Sequence, residues 1–237
     1  MRILVAAGSE EQINTGAAWC ASIDGVTAEN LEVAILGADR KALAEYGRKT
    51  LATELNCEPA DLNVATIEAD ANAILTHAEK QHCRSLILLH SGNLSDLHKE
   101  VFQTTKHPTL WLRIIGKPPS SESQIISAFQ KPSHVTSVVT EKLLGFAPGK
   151  TLCSHVDLQR DNLSEAIKTA LSEEKITDGE LLLFGIDDPD SSDRVYKTAL
   201  QLIDSKTTTS IGLLHDGYTL PEKIASQVYQ WAADVAP

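Results

Sequence analysis

Two turns in this chain lack the glycines that a bound phosphate would need. After the apolar run Leu86-Ile87-Leu88-Leu89 comes Gly92, and no further glycine occurs until Gly116. After the matching run Leu181-Leu182-Leu183-Phe184 comes Gly185, and the next glycine is Gly212. A phosphate cradle uses several residues without Cβ, so that backbone N–H groups can close on the anion. Both turns have the setting of such a cradle and neither has its composition.

Basic charge is also short. Against 32 Asp and Glu stand 21 Lys and Arg, a formal net charge of -11, which excludes nucleic acid or an anionic membrane surface as a broad electrostatic partner. The four cysteines, Cys20, Cys57, Cys83 and Cys153, form no C-x-x-C pair and read as reduced, small hydrophobes of a cytoplasmic protein. No apolar stretch approaches the ~20 residues that cross a bilayer. Met1-Arg2-Ile3-Leu4-Val5 enters a strand directly, without the n-region and h-region of a secretory signal.

What the chain does have is alternation. Hydrophobic residues make up 42% and charged residues 22% of 237, the balance of a soluble globular protein with one large domain or two of ordinary size. Strands are expected over residues 2–7, 31–36, 62–68, 85–89 and 109–115, with helices over 12–22, 39–56, 70–78 and 94–104 between them. Asp39 and Asp70 are expected as helix N-caps, and Ala71, Ile74, Leu75 and Ala78 as an inward stripe. Strands this apolar are covered on both faces, which means a parallel sheet flanked by helices.

Gly116-Lys117-Pro118-Pro119-Ser120-Ser121-Glu122 has linker composition, and the pattern begins again after it. Strands are expected at 124–129, 151–155, 180–185 and 208–214, with helices at 135–144, 162–174 and 194–203. The domains are therefore 1–115, a linker 116–123, a second and reduced unit 124–216 that has lost about one strand–helix unit, and a C-terminal helix within 217–237.

The run Ala69-Asp70-Ala71-Asn72-Ala73-Ile74-Leu75 leading to Ser85-Leu86-Ile87-Leu88-Leu89, and the closing His107-Pro108-Thr109-Leu110-Trp111-Leu112, resemble the universal stress protein family. The resemblance covers most of residues 1–115 and, more loosely, 124–215. It implies an α/β fold of two tandem, Rossmann-like open parallel sheets with flanking helices. Nucleotide-binding members carry G-x2-G-x9-G-[ST] after the fourth strand and an acidic residue at the end of the first. Counted from Gly92, the later glycine positions fall on Ser95 and Thr105; counted from Gly185, on Asp188 and Thr198. The first-strand ends, Ala6-Ala7-Gly8 and Ser127-Ala128-Phe129, carry no carboxylate. Asp187, Asp188, Asp190 and Asp193 would stand where phosphates lie, each repelling a triphosphate by about a kcal/mol or more. These departures argue against ordinary ATP binding, most strongly in the second half.

In open α/β sheets ligands lodge beyond the carboxyl ends of the strands. Gly8, Ser9, Gly37, His90, Ser91 and Gly92 are expected to gather there as a candidate cleft for a small anion or an adenosine-like molecule. The bland account is that the glycines only permit tight strand-to-helix turns. The eight histidines show no H-x3-H or H-E-x-x-H spacing and read as scattered surface or cap residues, so no metal is expected. The acidic run lacks the central glycine and final glutamate of a calcium loop, and Asp193 reads as a helix cap. Ser9 and Ser91 lack the G-x-S-x-G elbow of a nucleophile, so no catalytic residues are assigned.

The apolar runs Leu110-Trp111-Leu112-Arg113-Ile114 and Ser210-Ile211-Gly212-Leu213-Leu214 would be association-prone sheet edges if left alone. The resemblance implies dimerisation through that strand, so an internal pseudo-dimer is expected. Three functional readings follow. The first is a non-catalytic, cytoplasmic stress-response or regulatory module that binds a protein partner or an unidentified small ligand. The second is an adenine-nucleotide binder with an atypical site in the first half. The third is the soluble domain of a membrane transporter, suggested by the apolar-faced final helix that stops at Ala236-Pro237.

Overall fold

Ile3 to Ala7 is an unbroken apolar run, and it forms the core of the first strand, β1 (Arg2–Ala7), buried along five of its six residues. In the computed structural model, the described residues are 2–21, 25–37, 40–90 and 95–113, the strands 125–129, 151–153, 181–185 and 210–215, and Lys197. After β1 come α1 (Glu10–Ala21), β2 (Leu31–Leu36), α2 (Lys41–Leu55), a short 3-10 turn at Pro59–Asp61, β3 (Asn63–Ile67), α3 (Ala71–Lys80), β4 (Cys83–Leu89), α4 (Asp96–Thr104) and β5 (Thr109–Arg113). Four further strands follow: β6 (Ile125–Phe129), β7 (Thr151–Cys153), β8 (Leu181–Gly185) and β9 (Ser210–His215).

The nine strands among the described residues lie in one sheet, in the order β3-β2-β1-β4-β5-β9-β8-β6-β7. Neighbours run parallel except at one seam, where β5 pairs antiparallel with β9 and Thr109 stands opposite His215, Trp111 opposite Leu213. Two open parallel sheets thus give way to one continuous mixed sheet. Alternation along the strands splits the core in two. Ile3, Val5, Val33, Ile87 and Leu89 form one cluster with Ile13 and Trp19 of α1 and Leu51 of α2. The intervening residues Leu4, Ala6, Leu86, Leu88 and Trp111 are as deeply buried on the other face, where α3 and α4 bring Ile74, Ala78, Val101 and Phe102.

Gly16 of α1 lies against the end of β4. A Cβ on it would fall 2.1 Å from Leu89 Cδ1, so any larger residue would force the Leu89 side chain to shift. Asp70 caps α3 through its side chain, accepting from the Ala73 N–H at 2.8 Å. At α2 the N-cap is Arg40, with no side-chain capping bond, and Asp39 lies outside the described residues. The inward stripe of α3 is Ala71, Ile74 and Ala78; Leu75, one step of ~100° around the helix, is only half-buried. The expected domain boundary at 116–123, the expected helices beyond it and the acidic run at 187–193 lie outside the described residues. Among the described residues, no helix is long and apolar enough to cross a membrane.

One charge is buried in the α3 face. Glu32 of β2 has a side chain 3% exposed, and its Oε1 meets Nε2 of His77 of α3 at 2.8 Å. Its second oxygen has no hydrogen-bond partner. Removing one member of a buried pair leaves the other polar group stranded, which costs more than replacing both with apolar groups. His77→Ala is therefore expected to lower the unfolding free energy by about 3 kcal/mol, and His77→Leu with Glu32→Leu by much less. Urea denaturation of the two variants measures the difference.

Candidate functional site

The strand order places β1 between β2 and β4, with the chain leaving β1 toward β2 and returning from β3 to β4 on its other side, and at such a reversal open α/β sheets form a crevice at the carboxyl ends of the strands. Gly8 and Ser9 follow β1, Gly37 follows β2, and His90 follows β4. Of the six residues expected there, these four stand at the strand ends; Ser91 and Gly92 lie outside the described residues.

The turn after β1 is closed by its own side chains. Ser9 is the N-terminal cap of α1: its Oγ accepts from the Gln12 N–H at 3.3 Å, and its carbonyl accepts from the Ile13 N–H at 3.0 Å. The Gln12 side chain reaches back, and its Oε1 accepts the Gly8 N–H at 2.6 Å. This is a capping box, shifted by one residue on the return bond. The Gly8 carbonyl in turn accepts from the Arg40 guanidinium. Both backbone groups of Gly8 are therefore used inside the protein. Gly37 has φ +117°, a conformation that side chains rarely adopt, and its N–H donates to the Ile67 carbonyl at 2.7 Å. A Cβ there would come within 2.9 Å of Arg40 Nε.

At β4 the neighbours are aromatic. The His90 N–H continues the ladder to the Leu112 carbonyl at 3.0 Å. Its ring lies 4.6 Å from that of His98, edge-on, and 5.3 Å from Trp111, with His98 and Trp111 6.0 Å apart at 85°. His98 comes from the first turn of α4, whose N-cap Ser95 bonds the His98 ring through Oγ···Nδ1 at 2.5 Å. Burial, and next the charge of His90, push His98 down to about 3, so its imidazole is neutral at physiological pH.

Among the described histidines, His82 is exposed just past α3, as expected of a surface or cap residue, but four others are not on the surface. His98 and His215 are buried, His90 and His77 half-buried, and each stands in a specific contact. The sequence could not show this, because His90, His98 and Trp111 meet only once β4, α4 and β5 are packed. Gln12 was legible: Ser9-Glu10-Glu11-Gln12 fits the S-x-x-Q capping pattern, which starts α1 at Glu10 rather than two residues later. Arg40 left no comparable signal.

Ser95 and His98 have the composition of a nucleophile and its base, but a histidine held near 3 is too weak a base to activate a hydroxyl at neutral pH. Among the described residues, no group of three or more His, Cys, Asp or Glu side chains could hold a metal ion. Burial pushes the Cys20 thiol up to about 12 and the Cys83 thiol up to about 11, so neither offers a thiolate.

Only six residues separate β4 from α4. Family spacing counted from Gly92 reaches Thr105, which is the C-terminal cap of α4, fully buried and bonded to the His107 backbone and to Thr109. That spacing, counted along the chain, therefore runs the length of α4.

The depressed His98 makes a pH prediction. The unfolded chain binds a proton at His98 below about pH 6.5, while the folded chain refuses it until about pH 3. Its contribution is complete above pH 6.5 and is lost as pH falls through that interval, by up to about 1.4 kcal/mol per pH unit. Denaturation curves at pH 7.5 and pH 5 should show a smaller stability loss for His98→Asn than for the wild type.

No protein-family model matches the chain. No curated protein matches it. Among solved structures, a Pseudomonas aeruginosa UCBPP-PA14 protein provisionally named a universal stress protein aligns with TM-score 0.50 and 14% identity, over 98% of this chain and 98% of its own. A functionally unknown protein from Pseudomonas aeruginosa PAO1 aligns with TM-score 0.46 and 15% identity, over 98% and 97%. The first of these likenesses, spanning nearly the whole of both chains, establishes that the two share an α/β fold.

Proposed function

We propose that the chain is a tandem protein of the universal stress type, acting in the cytoplasm as a non-catalytic regulatory module that does not bind ATP in the usual way. The observation that supports this reading is that the family's later glycine positions, counted from Gly92, fall on Ser95 and Thr105, the two caps of α4. The occupied backbone of Gly8 supports it from the other side of the crevice. The neutral, weakly basic His98 supports a binding role over a catalytic one.

The tandem reading rests on strand order. The first five strands run β3-β2-β1-β4-β5, and the last four, read inward from the other edge, run β7-β6-β8-β9. The second series matches the first with its outermost strand missing, and the two meet antiparallel at β5 and β9, as an internal pseudo-twofold requires. One unit of about 115 residues and one reduced unit follow from it. A resident ligand would be small and would contact Ser9, Gly37 and His90 at the crevice.

Isothermal titration with ATP, ADP and AMP tests the reading. No binding tighter than millimolar is expected for any of the three. Micromolar binding of ATP would favour an atypical nucleotide site in the first unit and would overturn the proposal.

A further inference from the structure

The mouth of the crevice carries a contact that a bare strand-to-helix turn does not need. Arg40, the N-cap of α2, reaches back across 32 residues of sequence to donate to the carbonyl of Gly8 at the end of β1. Its path is specific. It passes over Gly37, where a Cβ would lie 2.9 Å from Nε, 3.2 Å from Cδ and 3.4 Å from Cγ of Arg40. Gly37 also holds φ +117°, so glycine there serves both the turn and the crossing side chain. On the preceding peptide group, between Ala7 and Gly8, Gln12 takes the Gly8 N–H at 2.6 Å.

Two side chains from different helices thus occupy the donor and the acceptor of one residue at the carboxyl end of β1. That is where an open α/β sheet shows main-chain groups to a ligand. Arg40 is itself exposed, so burial does not force the contact. A guanidinium on a neutral carbonyl makes a weaker bond than one on an anionic oxygen, and the contact is exchangeable.

We infer that Arg40 is a strap that, with Gln12, holds the turn after β1 shut, so that ligand access to the Gly8 backbone requires Arg40 to swing away. The inference concerns regulation of the crevice and rests on its assignment as a ligand site. It names Arg40 as a positioning residue, acting through Gly8.

Hydrogen exchange of the intact chain, read by mass spectrometry, tests it without a ligand. In Arg40→Met, peptides spanning residues 2–12 are expected to exchange about fivefold faster, while peptides spanning β4 keep the wild-type rate. Arg40→Lys should recover part of the protection, and Gln12→Ala should speed exchange over the same residues. Unchanged exchange over 2–12 in Arg40→Met would overturn the strap. Equal acceleration over 2–12 and β4 would also overturn it, since Arg40 would then serve the whole fold. The nucleotide titration fails or succeeds independently of this result.

Discussion

Burial of the central strands on both faces is the constraint from which the rest follows. β1, β2 and β4 are walled by α1 and α2 on one side and by α3 and α4 on the other, so almost no polar side chain can leave them sideways. Exposed polar groups are pushed to the strand ends, where the chain turns. The same burial explains the seam. β5 is as apolar as β4, and an uncovered β5 would offer Trp111 and Leu112 to any passing strand. Pairing with β9 satisfies its backbone and shields its residues at once.

The polar exceptions in the core differ in how they are accommodated. Thr105 and Thr109 are fully buried, yet their hydroxyls bond each other and the His107 backbone, which fixes the turn that carries Pro108 into β5. His98 is accommodated by losing its charge and by the Ser95 hydroxyl. Glu32 is the least settled, with one carboxylate oxygen on His77 and the other without a partner. A buried hydroxyl without a partner, Ser85 Oγ, lies on β4. Desolvating such groups costs roughly 1–3 kcal/mol each when they are neutral, and more for a carboxylate. The hydrophobic packing of both faces has to outweigh that.

The first half was legible from hydropathy because its signals are local. Apolar runs bounded by glycine or Asp gave β1, β2 and β4 nearly to the residue, and Asp70 declared itself as the cap of α3. The site was legible only in outline. Gly8, Gly37 and His90 could be placed at strand ends because strand ends are local, whereas Arg40 to Gly8 and His90 to His98 and Trp111 are tertiary contacts with no sequence period behind them. Asp39 illustrates the failure in reverse. Its residue type favours an N-cap, yet α2 begins behind Arg40, whose side chain is drawn to Gly8 rather than to its own helix.

These contacts also bear on what the crevice could recognise. A nucleotide site offers unused main-chain amides in advance, because amides that must first break internal bonds bind more weakly. Here the Gly8 amide is engaged by Gln12, the Gly37 amide by Ile67 and the His90 amide by Leu112. An exposed polar group described at this end of the sheet is the guanidinium of Arg40. Recognition by side chains tolerates a six-residue connection between β4 and α4, and it frees the positions after Gly92 from any need for glycine. At the ends of β1, β2 and β4 the main chain is thus spent on holding the fold.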